Sequence, residues 1–265
     1  MKFYTTIFLM AAVTIFLSAC EKVVQVDLNK AAPQIVIQGN ITNEAGPYSV
    51  MINKSVPFDN ANVFPPVTGA VVKITDDAAG VTDLLTEVLP GVYTTNITEG
   101  KEGRAYHLQV VADGKEYTAS STMPQNVVLD SVSFFTNTFF GTSLTNALPN
   151  FQDPTGSNYY YFLQTINRKR TKTFFVFDDR LSEGRYISRQ LFNDSAYIKK
   201  LDTVGLEMHC IDKANYNYFY QVTEAQGGGN SGPVAAPGNP VSNISNGAFG
   251  YFNAHTVQRK EAVFK

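Results

Sequence analysis

Between residues 34 and 122 the chain repeats one device: short runs in which apolar and polar residues alternate, each closed by turn residues. Alternation with period two sends successive side chains to opposite faces, the mark of a strand buried on one side. The runs cover 34–42, 48–53, 70–75, 82–88, 92–95, 105–111 and 116–122. Gly46-Pro47 and the segment Asp76-Asp77-Ala78-Ala79-Gly80 separate some of them, and Asp113-Gly114 reads as a tight hairpin turn. Strands spaced this evenly predict a β-sandwich of about seven strands over residues 33–125, ending near Met123-Pro124. Val, Thr, Tyr and Phe are plentiful and Trp is absent, a composition that suits an all-β fold.

A different texture follows, and we expect a second β-rich domain over 126–265. Residues 130–135 read as a strand, after which a polar stretch leads to Phe151-Gln152-Asp153-Pro154. Residues 159–167 and 171–178 read as a long hairpin with Arg168-Lys169-Arg170 at its tip. The one good helix candidate is 212–226: Asp212 can cap it, Tyr216, Phe219, Tyr220 and Thr223 share a face, and Gly227 stops it. A Gly/Pro/Asn cluster runs on to Pro240, and 245–257 return as a glycine-punctuated strand pair. The expected fold is mainly β, a sandwich followed by a β-rich domain with one helix packed on it.

The beginning of the chain reads as an address. Lys2 precedes an apolar run over 7–17 broken only by Thr14, and Leu17-Ser18-Ala19-Cys20 follows. That run is too short to span a bilayer and predicts a signal peptide over 1–19. The ending is similar to a bacterial lipobox, so Cys20 is expected to carry lipid, with 20–32 as lipidated N-terminus and linker. Several acyl chains on one cysteine anchor a protein stably, whereas one holds it only marginally. Glu21 favours the outer membrane under the lipoprotein sorting rule. Lys22 follows and no acidic residue recurs before Asp27, which leaves the periplasmic and surface faces both open. Once Cys20 is modified only Cys210 remains, so no intrachain disulfide can form and the core alone must hold the fold. Cys210 stands in an apolar stretch and is expected to be a buried structural thiol. A formal net charge of -2 without a basic patch argues against nucleic acid as a partner.

Several motifs follow one another along the mature chain. They are Cys20-Glu21 before Val26-Asp27-Leu28, the strand Ile35-Val36-Ile37-Gln38-Gly39-Asn40-Ile41-Thr42, and the stretch from Val67 to Asp76. Pro90-Gly91-Val92-Tyr93, Asp153 leading to Asn158-Tyr159-Tyr160-Tyr161, Tyr216-Asn217-Tyr218-Phe219, and the segment from Asn243 to Phe252 complete the set. Together these motifs resemble a family of Bacteroidetes lipoproteins known as DUF4249, a domain of unknown function, and the resemblance covers nearly all of the mature chain. It implies an immunoglobulin-like first domain, an outer-membrane address and an accessory role beside a TonB-dependent transporter, and it brings no catalytic residues. The stretch from Gly69 to Tyr93 also looks like the small carboxypeptidase-regulatory-like modules of transthyretin-like build that decorate such transporters; that analogy of fold carries no function.

Chemistry is sparse. Gly229-Asn230-Ser231-Gly232-Pro233 looks like the nucleophile loop of trypsin-like proteases with one glycine missing, and His107 lies in a strand without that family's context. His107, His209 and His255 are scattered, with no pair at the spacing of a metal site. Asp76-Asp77 with Gly80 supplies only part of a calcium loop. No phosphate cradle is present, and neither metal nor cofactor is expected. Asp130-Ser131, Asp194-Ser195 and Asp202-Thr203 are similar to short O-glycosylation acceptors. Aromatic residues crowd the second domain at 159–162, 174–177 and 216–220. Neighbours on a strand cannot all face one core, so Tyr159, Tyr161, Phe174 and Tyr218, beside Arg168 and Arg170, are the candidate binding surface; the opposing reading is a strand buried on both sides. The leading functional expectation is a non-enzymatic accessory or ligand-capturing lipoprotein of a transport complex. The rival is a structural or adhesive surface protein binding polysaccharide or other cells, and a hydrolase with an unrecognised site is third.

Overall fold

The computed structural model describes residues 32–57, 63–139, 142–192, 198–226 and 238–265. The expected signal peptide, Cys20 and the linker to residue 31 lie outside them, as do Ser231 with its loop and Asp194. The fold is mainly β. In chain order the strands are β1 (Ile35–Thr42), β2 (Ser49–Lys54), β3 (Val71–Asp76), β4 (Val81–Leu84), β5 (Thr86–Leu89), β6 (Val92–Thr94), β7 (Ala105–Ala112) and β8 (Lys115–Thr122). There follow β9 (Ser131–Phe139), β10 (Thr142–Gln152), β11 (Tyr159–Ile166), β12 (Lys169–Asp178), β13 (Tyr186–Ser188), β14 (Thr203–Cys210), helix α1 (Lys213–Ala225) and β15 (Phe249–Val263). Among the described residues no helix is long and apolar enough to cross a membrane.

Three sheets result, ordered β12-β11-β14-β15-β1-β2-β6-β5, β4-β3-β7-β8 and β13-β10-β9. The alternation in β1, buried at Ile35, Ile37 and Ile41, gives the large sheet a dry face. One half of that face packs on the β4-β3-β7-β8 sheet, joining Ile37, Val50 and Tyr93 to Val72, Leu108 and Tyr117 in a first core. The other half forms a second core from Tyr160, Phe162, Leu206 and Met208 against Val132, Ala147 and Phe151. Here Phe162 stacks on Phe177 with ring centroids 5.2 Å apart and Phe151 meets Tyr160 edge-on at 4.9 Å. Each such buried side chain contributes roughly 1.5–3 kcal/mol.

The first core gives way to the second near residue 125, but the C-terminal strand does not keep to its side. Residues 245–257, read as a strand pair, enter one long strand. Its first half runs parallel to β1, Ile37 opposite Gly250, and its second half antiparallel to β14, Cys210 opposite Thr256. Phe252 and Ala254 therefore lie in the first core, which joins the two halves through one sheet. The run 82–88 also divides: β4 pairs with β3, β5 with β6, and the buried Leu85 marks the switch of sheets. The polar stretch after residue 135 forms the β9–β10 hairpin, with Thr136 hydroxyl-bonded to Thr145 across it at 2.8 Å. Asp212 caps α1 as expected, its Oδ1 accepting from Asn215 N at 2.9 Å.

Candidate functional site

The face of the large sheet turned away from both cores is where the structure gathers unused chemistry. Every second residue of the central strands reaches it: Tyr161 and Leu163 from β11, Glu207 and His209 from β14, Tyr251, Asn253 and His255 from β15, and Asn40 and Thr42 from β1. Register makes them neighbours, with Tyr161 opposite His209, Asn40 opposite Asn253 and Thr42 opposite His255. Helix α1 lies over part of this face. Phe219 packs against Tyr161 and Tyr251, in both cases with centroids 4.8 Å apart, and Tyr218 sits 5.3 Å from Tyr251. Beside the helix remains a partly open cavity of about 270 Å³, lined by the strand residues named above and Phe219.

A row of charges runs into this cavity. Arg259 bonds Glu44 and also donates from Nε to Glu207 Oε2 at 2.7 Å, and Glu207 Oε1 meets His209 Nε2 at 2.7 Å. The hydrogen bond from His209, with Arg259 behind it, holds the Glu207 carboxyl down at about 2. The His209 ring lies 4.4 Å, centroid to centroid, from the ring of His255. Burial, and then the neighbouring His209, push His255 down to about 3, so its imidazole is neutral at ordinary pH. His255 Nδ1 and Asn253 Oδ1 find no hydrogen-bond partner in the protein, although the residues are only 4% and 2% exposed. Orphaned buried polar atoms are uncommon and call for an explanation. Among the described residues no three His, Cys, Asp or Glu side chains are placed to hold a metal ion.

The expected aromatic surface takes a different form. Tyr159, Tyr161, Phe174 and Tyr218 do point away from the second core, but α1 rather than solvent meets most of that layer, and all four are half-buried. Tyr159 packs on Tyr216 at 5.0 Å and Tyr161 stacks on Phe174 at 5.0 Å. Arg168 is exposed at the β11–β12 turn and lines a separate shallow cleft with Arg259 and Glu261. The Arg170 side chain lies outside the described residues. Burial pushes the Cys210 thiol up, as an inert core thiol requires.

Sequence reasoning missed the meeting of His209 and His255. The signal was present as strand alternation, Glu207 with His209 and Asn253 with His255, but its use required knowing that β14 and β15 pair. A second grouping also forms: His107 bonds Ser120 through Nδ1 at 2.7 Å and Asp77 through Nε2 at 2.6 Å. Those are the residue types of a hydrolytic triad. They stand in the open on a sheet face, with the His107 and Asp77 side chains 46% and 55% exposed, a setting that surrounds the serine with water.

The fold and the cleft define a mainly β protein whose large sheet carries a helix-capped, polar-floored cavity. The family model described as a domain of unknown function, DUF4249, matches residues 21–261, and the chain belongs to that family. A search of curated proteins finds no match.

Proposed function

We propose that this chain is a lipid-anchored, ligand-capturing accessory of an outer-membrane transport complex, without a reaction of its own. The cleft is the observation that carries the reading: aromatic walls, a floor of fixed polar groups and two buried atoms without partners are the makings of a binding site. Its floor is built on four adjacent strands of one sheet, and groups held on strands are positioned more firmly than groups on loops. The lipobox-like Leu17-Ser18-Ala19-Cys20 supports attachment through Cys20, and Glu21 supports the outer membrane. A TonB-dependent transporter of the Bacteroidetes type is the proposed partner. The test is purification of the tagged protein from gently solubilised outer membranes, with mass spectrometry of what accompanies it. A stoichiometric TonB-dependent barrel is the expected result, and a Cys20→Ser variant should leave the membrane fraction. Recovery of the lipoprotein alone overturns the partnership and favours a free-standing adhesive role.

A further inference from the structure

We propose that the cleft under α1 binds a single uncharged sugar ring, with Asn253 and His255 reading its hydroxyl groups. This rests on the ligand-capturing reading above and names the class of ligand. Size limits the occupant first. Clefts for drug-sized ligands run to roughly 300–1,000 Å³, and a volume of about 270 Å³ has room for one ring. Charge limits it next. Glu207 is already matched by Arg259 and bonded to His209, and Arg259 is shared with Glu44. Both oxygens of Glu207 are therefore taken up within the protein, one by Arg259 and one by His209, so the carboxylate is not free to take a ligand. Hydrogen-bonding capacity is what remains. Asn253 Oδ1 can only accept, so the ligand must donate to it; His255 Nδ1 can donate or accept according to tautomer. A hydroxyl suits both at once. The two residues are i and i+2 on β15 and face the same side of the sheet, about 6–7 Å apart along the strand. Tyr161, Phe219 and Tyr251 supply the apolar walls against which the C–H face of a sugar ring packs.

The experiment uses the mature chain in detergent and saturation-transfer NMR with methyl glycosides of glucose, galactose, mannose and N-acetylglucosamine. Tetramethylammonium, sulfate and zinc serve as the competing chemistries. At least one glycoside should bind, and Asn253→Leu and His255→Leu should each weaken it tenfold or more. Because each variant removes a buried polar atom that the protein itself leaves unpaired, neither should lower the melting temperature. That combination separates a binding role from a structural one, which would lower stability as well as binding. Absence of binding by all four glycosides overturns the proposal and leaves the orphaned atoms to buried water. Binding of the cation, the anion or the metal in this cleft overturns it equally. A transporter that co-purifies with a chain binding no sugar sinks this inference alone; sugar binding without a transporter sinks the partnership alone.

Discussion

Replacing Gly250 with alanine tests whether β15 is the seam of the fold. Gly250 pairs with Ile37 in the parallel ladder and holds φ at +96°. A Cβ there would lie 1.9 Å from the Ile37 carbonyl oxygen and 2.8 Å from its carbonyl carbon, so backbone rather than a flexible side chain must yield. Positive φ costs an L-residue about 1–2 kcal/mol. Forcing a methyl into packed structure costs about 1–3 kcal/mol. Gly250→Ala should therefore lose about 2–5 kcal/mol, a large part of the 5–15 kcal/mol typical of a folded domain. Two other glycines separate the contributions. At Gly247 φ is +73° with nothing within 4 Å of a Cβ, so Gly247→Ala carries the backbone cost alone, about 1–2 kcal/mol. At Gly100 the Thr42 carbonyl oxygen lies 1.8 Å from a Cβ and φ is not positive, so Gly100→Ala carries the steric cost alone, about 1–3 kcal/mol. Urea unfolding followed by far-ultraviolet circular dichroism measures all three. The Gly250 loss should approach the sum of the other two and displace a single transition, because β15 belongs to both halves. If Gly250→Ala costs no more than Gly247→Ala, or unfolding splits into two steps with only one displaced, the reasoning is refuted.

Acid should unfold the protein in two stages. His255 is held neutral in the folded state at a pKa of about 3 against 6.5 when free. Its contribution is therefore complete above pH 6.5 and declines as pH falls toward 3, at up to about 1.4 kcal/mol per unit. Glu207, held at about 2 against 4.5, adds its own loss only below pH 4.5. The groups facing His255 are His209 and Glu207 of β14, with Arg259 beyond them. Between pH 6.5 and 5 His255→Leu should flatten the stability profile, and an unchanged slope in denaturant titrations would disprove the assignment. Asp83 is 2% exposed and its Oδ2 accepts from the backbone N–H groups of Asn96, Ile97 and Thr98 at 2.8–2.9 Å. Burial raises this carboxyl, but those bonds outweigh it and hold it below its ordinary value. Asp83→Ala should cost about 3 kcal/mol in thermal or urea unfolding, since it takes the acceptor from three backbone donors and from the Thr98 hydroxyl; a loss under about 0.5 kcal/mol would show that water replaces the carboxylate. Ser120 should stay unlabelled by a fluorophosphonate probe, and labelling that Ser120→Ala abolishes would reopen the hydrolase reading.

Much of the first sandwich was legible because each strand there buries one face, so alternation states its direction without help. Leu85 marks the limit: a strand of even texture can change sheets in its middle, and no local pattern records which neighbour it pairs with. The β9–β10 hairpin escaped for the opposite reason. Its cross-strand partners are hydroxyl pairs such as Thr138 with Ser143 at 3.0 Å, and residues that hydrogen-bond across a ladder are the ones that also favour turns.

The segment from Asn243 to Phe252 shows why the site was harder to read than the fold. Asn, Ser and Gly there suggest a loop, yet each is committed. Ser245 N donates to Thr118 O at 2.8 Å and Asn246 Nδ2 to Glu116 O, extending the edge of β8. The Asn243 side chain accepts from Phe252 N at 2.9 Å and donates to Phe252 O at 2.7 Å, as a neighbouring strand would. From the helix, Asn215 Nδ2 donates to the same Phe252 carbonyl at 3.0 Å, and Ser121 Oγ accepts from Ala254 N at 2.9 Å. The start of β15 is thus fixed by side chains drawn from β8, from α1 and from its own approach. That bracing sets the register which brings Asn253 and His255 opposite Asn40 and Thr42. Of the residues most conspicuous in the sequence, the aromatics Tyr161, Phe219 and Tyr251 form walls of the face, while Arg168 lies at a separate cleft. The polar side chains on the floor of the face are isolated in the sequence and are brought together only when β15 is laid beside β1.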